Sequence, residues 1–139
     1  AGGLGCGLLA FFHPDIRSGI DLVLDLARFD QAVAQADLVI TGEGCLDAQS
    51  AYGKVPAGVA RRTKAIRDIP VLAIGGAIKP GAEALYACGV DSMMSAVSQI
   101  ITLDAAMARA EDALLDSTVR MMRLLRAGST LKIHKEEFL

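Results

Sequence analysis

The stretch ADLVITGEGCLDAQSAYGK, Ala36 to Lys54, decides how the chain is read. Leu38–Ile40 is a short apolar run of the kind a buried strand uses, and Leu38–Thr41 reads as that strand. Gly42 and Gly44 then mark a turn, and Glu43, Asp47, Gln49, Gly53 and Lys54 follow closely. A strand that empties into a glycine-rich loop bearing carboxylates, with a helix to follow, is where open α/β sheets place ligand chemistry.

Outward from that stretch the elements alternate. Val55–Arg67 reads as a helix, with Pro56 tolerated in its first turn. Its Val55, Val59, Ala60 and Ile66 fall on one side, and Arg61, Arg62, Lys64 and Arg67 face water. Val71–Ile74 is a second buried strand, ended by Gly75-Gly76. Pro80-Gly81 opens a short helix through Cys88, and Asp91–Val97 gives a third strand. Thr102 caps a last helix whose apolar positions run from Met107 to Leu125, until Ala127-Gly128 stops it. On the amino-terminal side Leu4–Phe12 is expected to be helical, His13-Pro14 to turn, and Ser18 to cap a helix through Leu26. One or two further turns are expected over 28–35. The tail, 129–139, is expected to fray or dock loosely. Short strands alternating with helices imply right-handed βαβ units and a parallel sheet. The expected fold class is α/β, a parallel three-stranded half of a Rossmann-like domain.

Composition limits the functions open to it. With 139 residues there is room for one domain, able to bury about 70% of the surface its unfolded form exposes. The net charge of -2 provides no basic field for nucleic acid or anionic lipid. Aromatic residues make up only 4%, too few for a base-stacking platform. The chain is 53% hydrophobic, yet no apolar run approaches the ~20 residues of a membrane span. The surplus is read as surface that meets other protein, and the AGGLGCGLLAFF opening as the edge of a piece of a longer protein. The three cysteines Cys6, Cys45 and Cys88 lie far apart without a C-x-x-C, a reduced, cytoplasmic pattern.

In a parallel sheet the loops following the strands converge on one edge. Here they are Gly42–Gly53, Gly75–Gly81 and Ser98–Leu103. The helix start at Lys54–Gly58 faces the same edge, where unpaired N–H groups and the Lys54 charge favour an anion. Carboxylates beside an anion pocket are consistent with Mg²⁺ held by one or two carboxylates plus phosphate oxygens. Neither standard phosphate fingerprint fits: the Gly44-to-Lys54 spacing is too long for a Walker A loop, and Asp47 stands where a dinucleotide turn needs its third glycine. Taken singly, Gly42 and Gly44 can be turn geometry, Glu43 a solvated carboxylate, Asp47 an Asx-turn or helix cap, and Lys54 a surface lysine. His13 and His134 have no visible partner, Cys45 has no nearby His, and Met93-Met94 reads as core filling.

The run TGEGCLDAQSAYGKVPAGVA, Thr41–Ala60, resembles the C-terminal part of bacterial glycerate kinases of the first type, as do AGGLGCGLLAF at Ala1–Phe11 and IPVLAIGGAI at Ile69–Ile78. The resemblance reaches Gly128. It implies transfer of the ATP γ-phosphoryl group, with Mg²⁺, to D-glycerate, the 2-phosphoglycerate product being the expected one. It further implies that 1–35 closes an inserted domain, that 36–128 is the returning half of a Rossmann-like domain, and that 129–139 is a tail. The missing N-terminal part of the same protein would complete the active site, so this chain alone is expected to be inactive and prone to self-associate.

Carried over residue by residue, Thr41, Gly42, Gly44, Gln49, Gly53 and Lys54 are the substrate- or phosphate-binding candidates. Glu43 and Asp47 are the catalytic and metal-binding ones. Asp47 is either the base that orients the glycerate hydroxyl or a Mg²⁺ ligand; Glu43 binds metal-bound water or a substrate hydroxyl. Relatives usually carry Arg where this chain has Cys45, which removes a charged fork for carboxylate or phosphate. A non-catalytic ligand-binding or structural α/β module is the alternative reading.

Overall fold

The computed structural model describes residues 2–12 and 17–131. His13, His134 and most of the tail lie outside the described residues. Along the chain run α1 (Gly2–Phe12), α2 (Gly19–Leu26), α3 (Phe29–Val33), β1 (Val39–Leu46), α4 (Val55–Ile66), β2 (Val71–Ile78), β3 (Ser92–Ser95), α5 (Leu103–Ala108) and α6 (Ala110–Gly128). Short 3₁₀ helices, Ala48–Ala51 and Ala82–Cys88, follow β1 and β2. The three strands form one parallel sheet in the order β1-β2-β3. The expected α/β class and parallel three-stranded sheet are therefore observed.

Both long strands run past the glycines that were expected to end them. Gly42 and Gly44 are not a turn: β1 continues in register with β2 from Val39↔Val71 to Leu46↔Ile78. The glycines serve close approach instead. A Cβ on Gly42 would lie 2.9 Å from the Ile74 carbonyl oxygen, and one on Gly76 would lie 2.6 Å from that of Gly44. Gly75 leaves room for Leu46, whose Cγ would be 2.8 Å from an added Cβ. β3 is shorter than Asp91–Val97, because Ser95 Oγ lies 3.1 Å from the Val97 carbonyl and turns the chain. The last helix is two: Thr102 Oγ1 accepts from Ala105 N at 3.3 Å as expected, but the backbone breaks at Arg109. Ser18 occupies the N-cap position of α2 without a side-chain cap bond.

One face of the sheet is well covered. Leu24, Val33, Val39, Val59, Ala60, Val71, Ala73 and Leu85 pack into one core beneath α2, α3 and α4. Gly58 lets Ile20 approach α4, an added Cβ there falling 2.6 Å from Ile20 Cγ1. Arg62 does not simply face water. Its guanidinium donates to both carboxylate oxygens of Asp30, at 2.7 and 2.8 Å, and to Asp25 at 2.8 Å. Arg67 donates to the carbonyls of Ala34 and Ala36. On the other face a smaller cluster of Leu72, Ile74, Ala96 and Met121 anchors α6. Beside it an open groove of about 1160 Å³ remains between the β1–β2 surface and α5–α6.

Candidate functional site

The site is built where β1 ends. Glu43 projects from the strand toward the start of α4, and Asp47 follows it as the N-cap of the first 3₁₀ helix. Asp47 Oδ1 accepts from Gln49 N at 2.9 Å and Ser50 N at 3.2 Å. In return Asp47 N donates to Ser50 Oγ at 3.1 Å, closing a capping box. Ser50 is fully buried, and its hydroxyl donates to Glu43 Oε2 at 3.0 Å. Lys54 Nζ lies 3.5 Å from Glu43 Oε1 and 3.7 Å from Asp47 Oδ1. Gly53, at φ 73°, supplies the left-handed backbone that turns the chain into α4.

The Asp47 carboxyl is held below the usual carboxylate range. Partial desolvation acts upward, and is outweighed by the Gln49 N–H, the Lys54 charge and the Ser50 donors. Asp47 is therefore an anion at neutral pH. Among the described residues the hydrogen bonds to this carboxylate reach Oδ1, and none reaches Oδ2.

The eight candidate binding and catalytic residues divide. Glu43, Asp47 and Lys54 come together. Thr41, Gly42 and Gly44 line the open groove with Glu43, although Thr41 is itself buried. Gln49 contributes its N–H to Asp47, and its side chain is exposed. The start of α4 is a poorer anion cradle than expected: Pro56 has no N–H, and Gly58 N already donates to Lys54 O at 3.1 Å. All three loops contribute to the open groove, through Gly44 and Cys45, through Gly75 to Lys79, and through Ile101 and Leu103. Thr102 caps α5, while Ser98 and Gln99 line an adjoining cleft of about 270 Å³ with Arg109, Asp112 and Asp116.

Lys54 places a positive charge beside both carboxylates. Among the described residues no group of three or more His, Cys, Asp or Glu comes together, so an ion here would take two carboxylates at most and draw its other ligands from elsewhere. Cys45 is half-buried and makes only a weak 3.9 Å contact to the Leu46 carbonyl. Asp47 is already held without an arginine at position 45. Sequence reading passed over Ser50 and Lys79. Asp-x-x-Ser is a legible capping-box spacing, so Ser50 could have been found. Lys79 brings a basic side chain to the groove that Glu43 also lines; its loop, Gly75–Gly81, was expected on this edge, and the residue itself was not singled out.

A family model described as the glycerate kinase family matches residues 1–126. This chain belongs to the glycerate kinase family. Among its relatives, a glycerate kinase of Bacillus subtilis strain 168 is 40% identical across all of this chain and 35% of its own length. One of Halalkalibacterium halodurans is 45% identical over 86% of this chain and 31% of its own. The glycerate 2-kinase of Escherichia coli K12 is 35% identical over 92% of this chain and 33% of its own. A crystal structure from Salmonella typhimurium LT2, described as a glycerate kinase 2, superposes with a TM-score of 0.64 at 37% identity, covering 94% of this chain and 33% of that one. The chain thus spans about a third of the length of these glycerate kinases. None of the described helices is long and apolar enough to cross a membrane.

Proposed function

We propose that this chain forms one wall of the active site of a cytoplasmic kinase that transfers the ATP γ-phosphoryl group to D-glycerate, giving 2-phosphoglycerate. The carrying observation is that Glu43, Asp47 and Lys54 converge at the carboxyl end of β1 in a member of the glycerate kinase family. In this reading 1–35 ends an inserted domain, 36–128 is the returning half of the Rossmann-like domain, and 129–139 is a tail. The remaining part of the protein supplies the facing wall.

Two carboxylates suit Mg²⁺, which keeps several waters and takes its other ligands from phosphate. Asp47, through Oδ2, and Glu43 would hold it, and bound there it would neutralise charge on the transferring phosphoryl group. Lys54 balances the paired carboxylates and stands ready to contact phosphate or the substrate carboxylate. Asp47, capped through Oδ1 and anionic at neutral pH, is in the form that orients the acceptor hydroxyl and accepts its proton. In the intact protein Asp47→Asn should lower kcat by at least ~10²-fold. Turnover close to that of the parent would remove Asp47 from the mechanism.

Cys45 favours a second reading, a non-catalytic ligand-binding module that has kept the fold. Calorimetric titration of the intact protein with Mg-ATP and with D-glycerate separates the two. Binding of both with phosphoglycerate formed supports the kinase, whereas binding without turnover supports the module.

A further inference from the structure

We infer that Ser50 is a positioning residue of the active site, acting through Glu43 and Asp47; the inference rests on the kinase reading. Ser50 is fully buried, so its hydroxyl is not a candidate for contact with substrate. Among the described residues, the hydrogen bonds of its hydroxyl all go to the two carboxylate residues. Its oxygen accepts from Asp47 N at 3.1 Å, and its single proton has two oxygens in reach, Glu43 Oε2 at 3.0 Å and Asp47 Oδ1 at 3.4 Å. The shorter contact takes the proton, because a hydroxyl donates only once.

The result is a strap from the backbone of Asp47 to the side chain of Glu43, linking the 3₁₀ cap to the strand. Glu43 is then held by both oxygens, Oε2 by Ser50 and Oε1 by Lys54. Lys54 is a flexible, half-exposed point charge and fixes no direction. Ser50, locked by burial and by its own capping bond, fixes the direction in which Glu43 points. A carboxylate held within a few tenths of an ångström is what phosphoryl transfer asks of its protein, since catalysis there is mostly placement and electrostatics.

The test is made in the intact protein carrying this chain, with D-glycerate and Mg-ATP. Ser50→Ala should lower kcat about tenfold or more while the KM of each substrate stays within about twofold. Ser50→Thr, which keeps the hydroxyl, should recover most of that loss. On a Glu43→Gln background Ser50→Ala should add less than about a twofold further loss, because the serine works through that carboxylate. Unchanged kcat in Ser50→Ala, losses that multiply on the Glu43→Gln background, or a loss fully accounted for by a smaller folded fraction in circular dichroism would each overturn the inference. Should the parent protein itself show no phosphoglycerate, the kinase reading fails first. The strap then stands or falls on whether Glu43 turns away from Asp47 in a crystal structure of Ser50→Ala.

Discussion

Gly76 and Gly44 carry a lesson about glycine in strands. Both lie in GG- or GxG-type runs that look like turns, and both fall inside the strands, between the paired positions Glu43↔Gly75 and Cys45↔Ala77. Their environments differ. A Cβ at Gly76 would strike the Gly44 carbonyl oxygen at 2.6 Å, whereas one at Gly44 meets nothing within 4 Å. Gly76→Ala should therefore destabilise the fold by about 1–3 kcal/mol, as overpacking against backbone does. Gly44→Ala should change it by less than about 1 kcal/mol. Paired urea denaturation curves check both, and equal midpoints would refute the close-approach account. The grouping at the candidate site was legible in the sequence: Glu43, Asp47 and Lys54, singled out there, lie together in the structure. Conformation was not, because a glycine signals permission for an unusual backbone or for a close neighbour, and only the neighbour's position tells which.

Among the elements, the Arg62 clasp joins α4 to both α2 and α3. Asp25 is held below the ordinary carboxylate range by the guanidiniums of Arg17 and Arg62, and Arg62 is raised further above its own by Asp30 and Asp25. A carboxylate whose folded value is lowered stabilises the fold above its unfolded value of about 3.9. That contribution is lost as pH falls from there through the folded value. Arg62→Ala should lower the urea midpoint at pH 7 and flatten its decline between about pH 4 and 2. An unchanged acid limb would show that the clasp contributes nothing. These groups are solvent-exposed, so the effect should shrink in high salt. Element order was readable from periodicity, since buried runs and amphipathic helices leave their spacing in the sequence. The break at Arg109 and the brevity of β3 were not, because each follows from a local bond that the hydrophobic pattern does not record.

At the scale of the whole molecule, apolar surface is distributed unevenly. Leu4, Phe11 and Phe12 of α1 are exposed, as are Leu103, Met107, Leu115 and Leu124 along α5–α6. Ile40 and Ile78 look into the open groove, at 44% and 40% exposure. Apolar surface of this extent is what protein contacts and ligand grooves use, and the expectation from the sequence was contact with other protein. The isolated chain should self-associate in light scattering and bind a hydrophobic dye at the groove, with Leu114→Asp weakening both. A dispersed monomer that binds no dye would count against the groove as a covered face. Composition announced the surplus of apolar residues; which face carries it became visible only once α2, α3 and α4 were seen to occupy the other.

The glycine contact between β1 and β2 also has a mechanical side. Strands that touch backbone to backbone leave no slack, and the Lys79 N–H ties the end of β2 to the Leu46 carbonyl at 2.8 Å. The strand that carries Glu43 is thus tied to β2 beyond the site as well as alongside it, and the Lys79–Gly81 corner is anchored to the residue that precedes Asp47.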